Sequence, residues 1–221
     1  TLNVDAPALG ADTTPTIIGS TDLPAGSIVT LTVTDAGGVA QSFPATVQAN
    51  GSFSADVPAP LAQGSYSVVA TASDAAGNSA SDSAIGAVDS VPPVANLALD
   101  PVTTDNIVNA DEAATSVTLT GTAGGDVQAG DTVTLVVNGN TYTGTVQADH
   151  RFAIEVTGAD LLADADRRIE ASVTTADGAG NVTTASATHD YVVNHPPVGN
   201  PDALAATEDT AVTYTAAQLL G

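Results

Sequence analysis

Four segments of this chain recur in the same order, and that recurrence limits its fold more than any other feature. SVVATASDAAGNSASDSA (67–84) returns as EASVTTADGAGNVTTASA (170–187), each time with an Asp-x-Ala-Gly-Asn turn between runs of Ala, Ser, Thr and Val. AGSIVTLTVTDAGG (25–38) matches AGDTVTLVVNGN (129–140), and ATVQANGSFSADV (45–57) matches GTVQADHRFAIEV (144–156). DSVPPVAN (89–96) matches VNHPPVGN (193–200). The offsets all lie near about 100 residues, so the chain is built from a unit of that size used more than once.

The local pattern says what kind of unit it is. IVTLTVT (28–34), YSVVATA (66–72), SVTLTGT (116–122) and TVTLVVN (132–138) alternate apolar residues with Thr or Ser, the period of two of half-buried strands. Clusters of Gly, Asn and Asp separate them; Gly77 and Gly180 supply positive φ in the repeated turn, which reads as a hairpin. Short alternating strands in a unit of about 100 residues describe an immunoglobulin-type sandwich. The expected fold is all-β: tandem immunoglobulin-like Greek-key β-sandwiches. GADLLADADRR (158–168) is the only helix-like stretch, a turn or two joining strands E and F.

Pro92-Pro93 and Pro196-Pro197 are excluded from central strands and favour stiff linkers. They place one domain at 1–91, a second at 92–195 and the opening strands of a truncated third at 196–221. About 25 residues cannot bury a core, so the last piece is not expected to fold alone. The chain reads as an excerpt of a longer polypeptide.

Charge narrows the partners. The 221 residues carry 25 Asp plus Glu against 3 Lys plus Arg, a net charge of −22. Nucleic acid is excluded as a partner because phosphate affinity rests on basic side chains, and an anionic membrane surface is disfavoured for the same reason. No apolar run reaches the roughly 18 residues of a membrane span, so direct insertion is not expected. Hydrophobic residues make up 43% of the chain and alternate with polar ones, unlike a disordered acidic tail. With no cysteine, neither disulfides nor thiolate metal sites are available. The chain is expected to be monomeric, with cations as its natural counter-species.

The acids gather in loops. In an immunoglobulin-type sandwich the B–C and F–G loops lie at the pole where the chain enters, and the A–B and E–F loops at the pole where it leaves. The entry pole of the second domain would collect Asp126, Asp131 and Asp177, facing the linker residue Asp89. Its exit pole would collect Asp100, Asp105, Asn109, Asp111 and Glu112 with Asp160, Asp164 and Asp166, facing Asp190, Asn194, Asp202, Glu208 and Asp209. The outer pole of the first domain would offer Asp5, Asp22 and Asp74.

Two carboxylates about 4 Å apart repel by roughly 4 kcal/mol at an effective dielectric of 20, and there is almost no basic side chain here to offset it. Calcium takes six to eight oxygen ligands in flexible geometry and suits mixed Asp, Asn and carbonyl donors better than magnesium does. The plainer reading is that Asp and Asn build turns by bonding their own backbone. It is preferred for residues such as Asp35 and Asp56, stands level with calcium for Asp74 and Asp177, and yields to calcium for the cluster from Asp100 to Glu112.

Other chemistries fit poorly. His189, Asp190 and His195 lie along a strand end and a linker, where alternation scatters side chains and a tetrahedral zinc site does not form. ADLLADADRR lacks the sixth-position Gly and the terminal Glu of an EF-hand loop. No nucleophile elbow, phosphate-cradling loop or nominated carboxylate pair points to catalysis, so no enzyme is expected. Asn50-Gly-Ser52 and Asn181-Val-Thr183 fit the glycosylation pattern but sit in turns that call for Asn anyway. Tyr66 resembles the tyrosine of a sandwich corner, and the three arginines are expected to pair with local acids.

ATASDAAGNSAS followed by VDSVPPV resembles the bacterial Ig-like repeats of very large repeats-in-toxin adhesins, which are exported by type I secretion. Residues 99–146 are similar to that group's extender repeats, and NHPPVGNPDALAATEDTAVTYTAAQLLG (194–221) to the opening of a cadherin-like repeat. The resemblance implies an extracellular, cell-surface spacer. Calcium at or near the junctions of neighbouring repeats would hold it straight while it projects a distal ligand-binding part for adhesion and biofilm formation. The alternative is a module that binds a glycan or protein directly, against which stand the 3% aromatic content and the absence of Trp.

Overall fold

A computed structural model describes residues 1–194 and 215; apart from Thr215, the expected third domain (196–221), with Asp202, Glu208 and Asp209, lies outside the described residues, as does His195. The first sandwich runs β1 (Leu2–Asp5), β2 (Thr16–Thr21), β3 (Ile28–Thr34), β4 (Ala40–Thr46), β5 (Ser52–Asp56), β6 (Gly64–Ser73) and β7 (Ser79–Val88). Its sheets have the orders β1-β2-β5 and β4-β3-β6-β7. The second runs β8 (Ala95–Leu99), β9 (Ile107–Val108), α1 (Ala110–Ala113), β10 (Ser116–Gly125), β11 (Thr132–Val137) and β12 (Asn140–Thr145). It continues with β13 (Arg151–Thr157), α2 (Gly158–Ala163), β14 (Arg168–Ala176), β15 (Val182–Asp190) and β16 (Val192–Val193). Its main sheets, β13-β10-β8 and β12-β11-β14-β15, repeat the first pair, and β16 adds a short parallel pairing with β9. The pairs β2–β5 and β10–β13 lie in one sheet of each sandwich, and β3–β6 and β11–β14 in the other, the Greek-key exchange of an immunoglobulin-like sandwich.

Alternation sets the cores. In IVTLTVT of β3, Val29, Leu31 and Val33 are fully buried while the Thr residues between them face outward. Val133, Leu135 and Val137 of β11 do the same in the second sandwich. Two separate clusters result, with no residue in common. Each contains a phenylalanine facing a glycine across a strand pair: Gly19 opposite Phe53, and Gly121 opposite Phe152. A Cβ at Gly19 would lie 2.1 Å from Phe53 Cζ, and one at Gly121 would lie 2.4 Å from Phe152 Cζ. The missing side chain makes room for the ring, which lets an aromatic-poor chain fill a sandwich core.

The 158–168 stretch supplies the turn or two of helix expected between strands E and F, and one further helix appears. Residues 158–168 are helical only as far as Ala163; Asp164 follows in extended conformation and Arg167 has φ 52°. A second short helix, α1, appears where acids and an Asn suggested metal ligands. Asn109 accepts from the backbone N–H of Asp111 and Glu112 at 2.9 and 3.1 Å, while the Glu112 carboxylate accepts from Asn109 N–H at 2.9 Å. Asn109 and Glu112 form a capping box that satisfies the free donors of the helix start.

Candidate functional site

The two sandwiches meet through residues 89–94. On the first sandwich, Gly10 and Val88 form a parallel bridge, and Asp89 N–H donates to the Gly10 carbonyl at 3.0 Å. Gln63 then grips the linker: its Nε2 donates to Asp89 Oδ1 at 2.8 Å, and its Oε1 accepts from Ser90 N–H at 2.8 Å. On the second sandwich, Asp126 Oδ2 accepts from Val94 N–H at 2.8 Å, and Asp126 N–H donates to the Val94 carbonyl at 2.6 Å. Side chains from both modules thus fasten the Pro92-Pro93 segment at its two ends. Gln63 has no signal in the sequence, and Asn181, which also holds the linker, is marked there only as a turn residue that fits the glycosylation pattern.

Between these anchors lies a cavity of about 350 Å3 whose walls include Asp89, Pro92, Pro93, Asp126 and Asp177. Asp126 and Asp177 come from the β10–β11 and β14–β15 loops, which the strand directions bring to the entry pole beside the linker. Asp177 Oδ1 accepts from Ala179 N–H and Asn181 N–H at 2.9 Å each, and its Oδ2 accepts from Asn181 Nδ2 at 2.8 Å. The Asn181 amide and these backbone N–H groups hold its carboxyl below the usual carboxylate range. Asp89 and Asp126 each use one oxygen in hydrogen bonds; Asp89 Oδ2 and Asp126 Oδ1 accept none from the described residues. Asp131 lies in the same loop as Asp126 and caps Gln128 N–H at 2.8 Å.

The exit pole is partitioned rather than pooled. Asp100 is not at the pole: its N–H bonds the Thr120 carbonyl in the middle of β10, and its carboxylate takes Arg151 Nη2 at 2.7 Å. Asp105 closes its own turn, accepting from Thr103 Oγ1 and Ile107 N–H, which lowers its pKa. Asp111 is exposed in the first turn of α1. Asp190 pairs with the Arg168 guanidinium at 2.7 Å. Both arginine pairs are about half exposed and contribute little to stability.

Asp164 is the buried acid of this pole, 7% exposed, accepting from Tyr191 Oη at 3.1 Å and Arg168 N–H at 3.1 Å. Burial, then the neighbouring Asp166 carboxylate, pushes its pKa up. Asp160 lies apart, bonded by Tyr142 Oη, which holds its pKa down.

At the outer pole of the first sandwich, Asp22 and Asp74 line a cavity of about 250 Å3 with Leu2 and Asn78. Asp22 Oδ1 lies 2.7 Å from the Thr1 amino group. Asp5 is not part of that pole: it pairs with Ile18 along the sheet, three registers in from Leu2–Thr21. Tyr66 donates to the Pro7 carbonyl at 3.4 Å, tying the start of β6 to the β1 side of the sandwich.

Among the described residues, no group of three or more His, Cys, Asp or Glu side chains is placed to hold a metal ion. A cation at the junction would therefore combine two carboxylates with carbonyl and amide oxygens, a donor set calcium accepts. No helix among the described residues is long and apolar enough to cross a membrane. Among the described residues the exposed large hydrophobic side chains are all aliphatic, Ile85 and Val94 among them, and none forms an aromatic platform for a sugar or protein partner.

The geometry defines a tandem of immunoglobulin-like sandwiches, and the family model of the bacterial Ig-like domain matches residues 5–90. Residues 5–90 belong to the bacterial Ig-like domain family. No curated protein matches the chain. Among solved structures, a Ca2+-stabilised adhesin that helps an Antarctic bacterium reach out and bind ice is 34% identical over 88% of this chain and 49% of its own, with a TM-score of 0.68. A 1.5-MDa bacterial ice-binding adhesin is 31% identical, covering 88% of this chain and 64% of its own, with a TM-score of 0.65. An immunoglobulin-like domain of the M. primoryensis ice-binding adhesin is 41% identical over 46% of this chain and 99% of its own, with a TM-score of 0.44. The chain spans about half to two thirds of the first two structures.

Proposed function

We propose that this chain is a non-catalytic spacer segment of a secreted bacterial surface adhesin. Its sandwiches, 1–91 and 92–195, are serial modules that hold a distal ligand-binding part away from the cell. Residues 196–221 begin a further, cadherin-like module. Calcium stiffens the junction. The observation that carries the reading is the cavity between the linker and the second sandwich, lined by Asp89, Asp126 and Asp177, where two carboxylate oxygens accept no hydrogen bond from the described residues. Asp89 and Asp126 would hold the ion, with backbone carbonyl and amide oxygens completing the oxygen set; its charge would offset the repulsion among the acids around it.

The same function requires little else of the surface, which fits outward sheet faces rich in Thr and Ser. At calcium concentrations about 100-fold above the dissociation constant, one site adds about 2.7 kcal/mol to stability, a large share of the roughly 5–15 kcal/mol of a typical domain. The test is a thermal melt in excess chelator, in calcium, and in magnesium at matched ionic strength. A rise specific to calcium supports structural ion sites. Equal small rises with both ions would mean charge screening alone and would remove calcium from the mechanism.

A further inference from the structure

The junction also carries contacts that need no ion. Asn181 donates one amide hydrogen to Asp177 Oδ2 at 2.8 Å, closing its own turn, and donates to the backbone carbonyl of Asp89 at 2.6 Å. A side-chain amide nitrogen has two hydrogens, and both find acceptors here. Next to it, Ala11 N–H donates to the Ala179 carbonyl at 3.2 Å. The Leu9 side chain lies over Gly178, its Cδ2 3.8 Å from where a Cβ would be. Because Asp89 is itself fixed to Gly10 and Gln63, its carbonyl is presented to Asn181 as part of the first sandwich.

The first sandwich contains the matching residue without the matching contact. Asn78 donates to Asp74 Oδ2 at 2.8 Å, and its turn otherwise makes the same internal bonds, with Asp74 Oδ1 accepting from Ala76 and Asn78 N–H. That turn is exposed throughout, whereas Asp177, Ala179 and Asn181 are half-buried. The turn role is common to both asparagines; the bond to a neighbouring module is made by Asn181.

We propose that the Asp177–Asn181 turn is a metal-independent docking surface for the preceding module, with the Asn181 amide as its latch. The latch holds the Asp89 carbonyl, and the 9–11 loop of the first sandwich packs beside it. The two modules therefore keep one preferred orientation even when calcium is absent. This rests on the reading of the sandwiches as serial modules and not on the calcium site.

The chain has no cysteine, so Ser83→Cys and Thr143→Cys, both exposed and on different sandwiches, place one spin label on each module of the full chain. Distances between them are read by pulsed electron resonance in excess chelator. The parent should show one narrow distribution. Asn181→Ala should raise the ratio of open to docked molecules about fivefold, the size of one net hydrogen bond. Leu9→Ala, which touches none of the turn's own bonds, should broaden the distribution too, and Asn78→Ala should leave it narrow. An unchanged distribution in Asn181→Ala, or equal broadening in Asn78→Ala, overturns the latch. A parent that is broad in chelator and narrows only with calcium also overturns it, while leaving the calcium joint intact. Broadening in Asn181→Ala with no response of either protein to calcium supports the latch and rejects the calcium joint.

Discussion

The Asp74–Asn78 and Asp177–Asn181 turns are chemically near twins with different neighbours. Each is closed by one carboxylate accepting two backbone N–H groups and an asparagine amide. Each sits beside a cavity whose walls include an acid from a second loop of the same sandwich, Asp22 of the β2–β3 loop in one and Asp126 of the β10–β11 loop in the other. Only around the second turn does the structure place another module: a linker carbonyl on Asn181, a leucine over Gly178, a loop N–H on Ala179. The turn is a local solution to a hairpin, and the same atoms that close it leave an edge that another sandwich can use. Structural and connective roles are thus layered on one motif.

The largest expected effect tests whether the modules are alike inside while differing at their poles. Gly19→Ala and Gly121→Ala each force a methyl group into a phenylalanine ring and a facing carbonyl. Both should cost about 3 kcal/mol, the upper part of the overpacking range, in denaturant unfolding. A cost confined to one module would mean that the two cores are not equivalent.

Next in size is the cation. Asp89→Ala with Asp126→Ala should remove the calcium-dependent increment at the junction, up to about 2.7 kcal/mol at saturating calcium, whereas Asp22→Ala at the outer pole should retain it. Calorimetric titration of both variants distinguishes the poles. Retention of full binding by the double variant would move the ion elsewhere.

Acid offers a finer comparison. Asp74 and Asp177 have pKa values lowered by their turns. A depressed folded-state pKa gives stability that is present above the unfolded carboxylate value and is lost as pH falls through the folded one. Both turns should loosen only at pH values below the usual Asp range, and amide hydrogen exchange at Gly77 and Gly180 reads them separately. Gly180 should stay protected to lower pH, because docking adds to its turn.

The smallest effect concerns Asp164, whose pKa is raised and whose charge therefore opposes folding at neutral pH. Asp164→Asn keeps an acceptor for Tyr191 and Arg168 N–H, so it should raise the melting temperature slightly at pH 7. The gain should shrink as pH falls through the raised carboxylate value and the native acid protonates. A lower melting temperature for the variant at pH 7 would show that the charge is compensated.

Strand positions were legible because alternation is a local signal: β3 coincides with IVTLTVT, and TVTLVV forms β11. The distribution of acids among loops was legible too, since an immunoglobulin-like topology assigns each loop to a pole. What each acid touches was not. Asp100 is drawn along the sheet to Arg151, 51 positions away in sequence. Asn109 and Glu112 carry an Asn-x-x-Glu spacing that fits a capping box as well as a ligand set, and the helix took them. Gly19 and Gly121 carry no local signal, because their role depends on phenylalanines that face them across the sheet. The junction partners Leu9, Ala11 and Gln63 have no local pattern, because their contacts exist only once two folded modules meet.

The central claim is that the junction is a joint of fixed orientation that calcium tightens. Residual dipolar couplings from both sandwiches of the full chain in calcium test it most directly. The account predicts one alignment tensor describing both modules, with Asp89 and Asn181 amides fitting the same frame. Two tensors of clearly different magnitude, in calcium as in chelator, would show a free hinge and contradict it.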